Sequence, residues 1–249
     1  MSHHPFENLR NRMSPEQRAE ADARARAMMD EMNTRPAAIF DLDGVLTDTA
    51  DLHYRSWKMV ADEIGVPFDR RANEALRGVS RMQSCDLMLA AHAGEYTLAQ
   101  KEELARRKND EYIRLVQQMT PADLFPGAAT LLTGLRAAGF ATALASASKN
   151  GQIVVDRLQL RGLLDVVVDG HDAPKSKPDP QVFLVAAERV GAPPARCVVV
   201  EDAEAGVEAG LAAGMKVIGI GPAERVGRAH YRVEHVRELS AADFQRLLA

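Results

Sequence analysis

Short apolar runs alternating with helix-patterned stretches predict an α/β protein. The expected core is a Rossmann-like parallel sheet covered by helices on both faces, interrupted after its first strand by an all-helical insert. Three observations lead there. Ala37 to Phe40 is a wholly apolar run of strand length. From Phe140 onward such runs recur with helical segments between them, the pattern of a sheet buried on both sides. From Asp51 to Met119 apolar residues recur only at helical spacing, with no strand-like alternation.

Taken in order, Ser14-Pro15-Glu16-Gln17 is a helix start, with Ser14 as N-cap and Pro15 in the first turn. The Ala/Glu/Arg-rich stretch to about Met32 continues the helix. Its apolar face is mostly alanine and methionine, so it reads either as an extension packed weakly on the body or as a partner-binding helix. The insert follows the first strand: Trp57, Val60, Ala61 and Ile64, then Leu87, Met88 and Ala91, then Leu104, Ile113 and Leu115 mark its helices, punctuated by Gly65, Gly78 and Gly94. The Pro-rich run Pro121 to Gly127 returns the chain to the alternating pattern. Helices are expected over Ala128–Ala138, Gln152–Leu160, Gln181–Val190, Val207–Ala213 and Ala241–Leu248. Strands are expected over Phe140–Ala145, Asp165–Val168, Val198–Val200 and Val217–Ile220. The organisation is therefore an N-terminal helical extension (1–35), an α/β core (36–49 and 121–249) and a helical cap (50–120).

Composition narrows the function. The 249 residues are 46% hydrophobic and 27% charged, a soluble globular profile. A formal net charge of −4 gives no basic bias toward nucleic acid or membrane. Aromatics at 5% argue against a base-stacking surface. No apolar run approaches the ~20 residues of a membrane helix, and the polar N-terminus lacks the apolar stretch of a secretory signal. Cys85 and Cys197, far apart and without metal-ligand spacing, fit two reduced, buried thiols and a cytoplasmic location.

The chemistry concentrates where strands end. In Phe40-Asp41-Leu42-Asp43-Gly44, two carboxylates lie two positions apart at the C-terminal rim of the first strand, where open α/β sheets bind ligands. Acids so close repel unless a cation or shared proton sits between them, and a divalent metal with a phosphorylated substrate would supply one. The second rim, Ser146-Ala147-Ser148-Lys149-Asn150, offers hydroxyls and backbone N–H groups at a helix start, an anion cradle. The third, Lys175-Ser176-Lys177, is cationic, and the fourth offers Glu201-Asp202 and then Gly206.

These motifs, in order and at suitable spacing, resemble the haloacid dehalogenase superfamily of phosphotransferases: Asp41 to Thr47 its first motif, Ser146 its second, Lys177 its third and Glu201-Asp202 its fourth. The resemblance covers the chain from Pro36 onward. Gly78-Val79-Ser80-Arg81 and Arg107-Lys108-Asn109-Asp110 of the insert, with Leu144 to Gly151, narrow it to the β-phosphoglucomutase branch.

That resemblance implies the site. Asp41 would be the nucleophile and Asp43 the general acid/base, with Ser146 and Lys177 holding the transferring phosphoryl group. Mg²⁺ would be held by Asp41, Asp202, the backbone carbonyl of Asp43 and neighbouring Glu201, the last open to being a solvated acid instead. Arg81 with Ala147, Ser148, Lys149 and Asn150 would bind a second phosphate, a guanidinium fork suiting a dianion. Thr49 and Ala50 would form the hinge, while His53, Trp57, Gly78, Val79, Ser80, Lys108 and Asn109 would hold the sugar from the cap side. Trp57 reads equally as cap core, and His53 as a hydrogen-bonded structural residue.

The implied reaction interconverts β-glucose 1-phosphate and glucose 6-phosphate through glucose 1,6-bisphosphate. A sugar-phosphate phosphatase on the same scaffold is the alternative, and a non-catalytic phosphosugar sensor a third. Sugar phosphates are the expected partners of a monomer, with the N-terminal helix its one candidate contact surface. The chain departs from the family pattern at Ala203, where a serine would cap the next helix, in the N-terminal extension, and after Gly221, where the match weakens.

Overall fold

The computed structural model describes residues 13–76, 79–92 and 94–249, with 25–34 as backbone only. Helix α1 (Pro15–Thr34) opens with Ser14 and Gln17 capping each other: the Ser14 hydroxyl accepts the Gln17 N–H at 3.2 Å, and the Gln17 side chain accepts the Ser14 N–H at 2.9 Å. The side chains of residues 15–24 are exposed apart from half-buried Asp22.

The core is one six-stranded sheet, every pairing parallel: β1 (Ala37–Phe40), β2 (Ala141–Ala145), β3 (Val166–Val168), β4 (Cys197–Glu201), β5 (Lys216–Ile220) and β6 (Tyr231–Val233), in the order β3-β2-β1-β4-β5-β6. Alternation along the strands divides two apolar cores. Ala38 and Phe40 of β1, with Val198 and Val200 of β4, face one layer. Ala37, Ile39, Cys197 and Val199 face the other. Burial on both faces explains why these strands read as unbroken apolar runs.

Helices α6 (Ala128–Ala137), α7 (Gly151–Arg157), α8 (Gln181–Val190), α9 (Glu204–Ala212), α10 (Ala223–Val226) and α11 (Ala241–Leu248) complete this part. To keep labels in chain order, the insert's helices are α2 (Ala50–Glu63), α3 (Arg70–Glu74), α4 (Arg81–Met88) and α5 (Leu98–Val116). Most element ends fall within a residue or so of expectation, and two helices and one strand differ more. Helix α7 stops before Leu160 because Gln159 takes a left-handed φ of 57°. Helix α9 begins at Glu204, three residues before Val207, with no side-chain cap from Ala203. Strand β6 was not expected, since three residues with an exposed arginine at the centre carry no apolar run.

The insert has its own apolar cluster, centred on Trp57, Val60, Cys85, Leu89 and Leu104. Capping boxes from Ser80 and Thr97 start α4 and α5. The end of α5 does not stay with that cluster: Tyr112, Val116 and Met119 pack into the sheet core, tying the insert to the body. No helix among the described residues is long and apolar enough to cross a membrane.

Candidate active site

Register places the acids. Phe40 of β1 pairs with Val200 of β4, and the Asp41 N–H donates to the Val200 carbonyl at 2.9 Å. Asp41 and Glu201-Asp202 therefore emerge side by side, between β1 and β4, where the strand order reverses direction. Oxygens of Asp41, Glu201 and Asp202 lie within 4.8 Å of one another, all three residues buried. Two glycines make the room. Gly44, at φ 82°, would put a β-carbon 2.1 Å from Asp202 Oδ2, and one on Gly206 would sit 1.9 Å from Glu201 Oε1.

Lys177, 1% exposed, stands beneath these acids. Its ammonium donates to Asp41 Oδ1 at 2.6 Å, Glu201 Oε1 at 2.5 Å and the Ala145 carbonyl at 3.4 Å, which engages all three of its protons. Glu201 is committed on its other side too, since Oε2 accepts the N–H groups of Asp202 at 2.8 Å and Ala203 at 2.9 Å. Those bonds give Glu201 the geometry of a lysine holder, and they fix the backbone that leads into α9.

Burial pushes the Asp41 carboxyl well above the usual carboxylate range; the Lys177 charge opposes that shift, while Glu201 and Asp43 add to it. Burial works against a charged Lys177, but Asp41 and Glu201 outweigh it and raise its pKa above the ordinary lysine value. The three buried carboxylates face the buried Lys177 ammonium and the half-buried Arg225 guanidinium, 4.0 Å from Asp202 Oδ2, so acids outnumber cations by one. An all-oxygen donor set with that charge deficit fits a hard divalent cation.

Asp43 turns the other way. Its N–H donates to Asp41 Oδ2 at 2.9 Å, but its carboxylate accepts from the Thr49 hydroxyl and faces His53 Nε2 at 3.8 Å. His53 Nδ1 lies 2.7 Å from the ammonium of Lys108, and its ring stacks on Tyr112 with centroids 4.2 Å apart. Lys108 sits 4.4 Å from the Tyr112 ring centroid and 5.5 Å from that of Trp57. Burial lowers the Lys108 pKa well below the ordinary value, helped by the Arg81 charge and opposed by Asp43.

On the rim after β2, the Ser148 N–H donates to the Ser146 hydroxyl at 3.1 Å and the Asn150 N–H to the Ser148 hydroxyl at 3.2 Å. Asn150 Nδ2 donates to Asn109 Oδ1 at 2.8 Å, a bond from sheet body to insert. One cavity of about 470 Å³ is lined by Asp41, Asp43, His53, Trp57, Lys108, Glu201 and Asp202, and by Val79, Ser80, Arg81, Ser146, Ala147, Ser148, Lys149 and Asn150. Trp57 both lines it and belongs to the insert's apolar cluster.

Three of the expected residues stand behind that wall. Lys177 supports Asp41, Thr49 supports Asp43 and Asn109 supports Asn150. Gly78 lies outside the described residues. Two neighbours were not anticipated. Tyr112 is four residues from Lys108 on one helix, so the spacing that puts i and i+4 on one face would have found it. Asn73, which also lines the cavity, carries no sequence signal.

A fold of this order, with acids at the β1–β4 crevice and a lysine beneath them, defines a class. A model of the haloacid dehalogenase-like hydrolases matches residues 36–214, and the chain belongs to that family. It is 42% identical over 206 residues to the beta-phosphoglucomutase of Bacillus subtilis (strain 168), covering 82% of this chain and 91% of that protein. It is 30% identical over 184 residues to a phosphorylated carbohydrates phosphatase of Thermotoga maritima, covering 73% of this chain and 83% of that protein. The crystal structure of beta-phosphoglucomutase from Clostridium difficile matches with a TM-score of 0.82 at 34% identity, over 86% of this chain and 96% of that one.

Proposed function

We propose that this protein interconverts β-D-glucose 1-phosphate and glucose 6-phosphate, passing one phosphoryl group through Asp41. The observation that carries this reading is that two cationic side chains, Arg81 and Lys149, line the cavity that Asp41 lines. Arg81 and Lys149 share one wall-lined space with Asp41, so a sugar carrying a phosphate at each end has a place for both. Similarity to the beta-phosphoglucomutases supports it.

In this reading phosphorylated Asp41 gives its phosphoryl group to the free 6-hydroxyl of β-glucose 1-phosphate, the bond from Asp41 to phosphorus breaks, and Asp43 takes the hydroxyl proton, leaving glucose 1,6-bisphosphate. Asp41 and Asp202 would hold Mg²⁺, with the Asp43 carbonyl as a further ligand. The bound ion offsets the repulsion between a carboxylate and a phosphate dianion. Lys177, fixed by Asp41 and Glu201, and Ser146 hold the equatorial oxygens. The bisphosphate then turns end for end, the freed Asp41 carboxylate attacks the phosphorus at its 1-position, the bond from phosphorus to the C1 oxygen breaks with Asp43 returning the proton, and glucose 6-phosphate leaves with Asp41 phosphorylated again. His53 and Lys108 set the orientation of Asp43 from the cap. The helical segment 50–120 works as a cap whose closure excludes water between the half-reactions.

A phosphatase reading draws on the Thermotoga maritima relative: there water would resolve the aspartyl-phosphate and the second phosphate site would be superfluous. Arg81→Ala separates the two. A mutase loses glucose 6-phosphate formation by about 10²-fold, the loss expected when an anchor that orients substrate is removed, while a phosphatase keeps its rate of phosphate release within a few-fold.

A further inference from the structure

We infer that Arg225 weakens the hold of the acid cluster on Mg²⁺ and that Glu74 of the insert relieves this effect, so that ion affinity depends on where the insert sits. The inference rests on the reading of Asp41 and Asp202 as metal ligands. Arg225 belongs to α10 of the sheet body, and Glu74 ends α3 of the insert. Arg225 Nη1 lies 4.0 Å from Asp202 Oδ2 and 3.7 Å from Glu74 Oε2. One guanidinium thus stands between a candidate metal ligand and the insert.

Its approach is from outside the substrate cavity. Asp202 lines that cavity and also a second one of about 440 Å³, and Arg225 lines the second but not the first. Arg225 therefore acts on the charge of Asp202 without touching what binds beside Asp41. A cation next to a carboxylate competes with a metal ion for the same negative charge and repels the ion directly. An acid on the far side of that cation offsets part of it. The Asp202 side chain is 6% exposed, while those of Arg225 and Glu74 are 35% and 52% exposed. Solvent screening holds the effects to about tenfold for Arg225 and about threefold for Glu74. Because Glu74 is carried by the insert, moving the insert away from the body leaves Arg225 uncompensated and lowers ion affinity. Linkage requires the reverse as well: bound Mg²⁺ favours the arrangement that keeps Glu74 at Arg225.

The test is calorimetric titration of the full chain with MgCl₂ in the absence of sugar. It compares the wild type with Arg225→Ala, Arg225→Lys, Glu74→Gln and the Arg225→Ala/Glu74→Gln pair, with Asp202→Asn marking the site. The expected result is that Arg225→Ala binds Mg²⁺ about tenfold more tightly and Glu74→Gln about threefold more weakly. Arg225→Lys, which keeps the charge, stays within about threefold of the wild type. In the Arg225→Ala background, Glu74→Gln changes the affinity by less than about 1.5-fold. Equal or weaker binding in Arg225→Ala overturns the inference, as does a Glu74→Gln effect of the same size with and without Arg225. A wild-type chain that binds no Mg²⁺, or an Asp202→Asn chain that binds it as tightly as the wild type, overturns the metal-ligand reading and the inference with it.

Discussion

Gly206 exists for Glu201: a β-carbon on the glycine would lie 1.9 Å from Oε1 and 2.0 Å from the carboxyl carbon. The first residues of α9 pass so close to the end of β4 that only hydrogen fits between them. Gly206→Ala is therefore expected to push Glu201 off Lys177, destabilising the fold by about 3 kcal/mol, the scale of a broken buried ion pair, and lowering turnover at least tenfold. Gly134→Ala is the control. It lies within α6 with open space where the β-carbon would go, and it should stabilise by about 0.5–1 kcal/mol. Urea unfolding of both variants checks the contrast.

Lys177→Met tests the same cluster from its centre. With the ammonium gone, Asp41 and Glu201 face each other as buried, uncompensated carboxylates. We expect a loss of about 3–5 kcal/mol, partly recovered by adding Glu201→Gln, which removes the stranded charge. A double-mutant cycle by denaturant unfolding measures that coupling.

The excess negative charge of the acid cluster predicts that Mg²⁺ raises the thermal midpoint of the wild-type chain. Asp202→Asn should abolish the rise, and chelation should stop turnover until Mg²⁺ is restored. An equal rise in Asp202→Asn would show that the stabilising ion binds elsewhere.

The Asn109–Asn150 bond joins the insert to the sheet body. Its loss in Asn109→Ala removes about 1 kcal/mol, or about fivefold in an equilibrium. The expected consequence is a several-fold higher share of free phosphate among the products, as water gains access to the phosphorylated Asp41. Product partition, rather than rate alone, is the readout.

Both thiols are buried, which pushes Cys85 up to about 11 and Cys197 up to about 12. Neither should react with iodoacetamide at pH 8 unless the chain is unfolded. The sign for stability follows. Below the unfolded thiol value of about 8.5 both states keep their protons. Above it the unfolded chain loses protons first, so stability falls as pH climbs from about 8.5 toward the folded values. Cys197→Ala should flatten that alkaline decline in unfolding measured at pH 7 and pH 10.

Much of the site was legible because strand ends are marked in the sequence. Ala37–Phe40 and the valines before Glu201 are unbroken apolar runs that stop at acids, so the rims could be placed before their pairing was known. The engagement of both Glu201 oxygens could not be read. It depends on the register of β1 against β4 and on a lysine 24 positions away in another loop. Asn73 was invisible for a different reason: a lone asparagine in a five-residue helix has no periodicity, and only packing makes its carbonyl a buried orphan. Strand β6 escaped because Arg232 interrupts it.

The most direct test of the central claim supplies β-glucose 1-phosphate, Mg²⁺ and a trace of glucose 1,6-bisphosphate, then reads glucose 6-phosphate and free phosphate in parallel samples. The account predicts glucose 6-phosphate forming far faster than free phosphate, with both lost in Asp41→Asn. Free phosphate as the dominant product, or glucose 6-phosphate formation that survives Asp41→Asn, would contradict it.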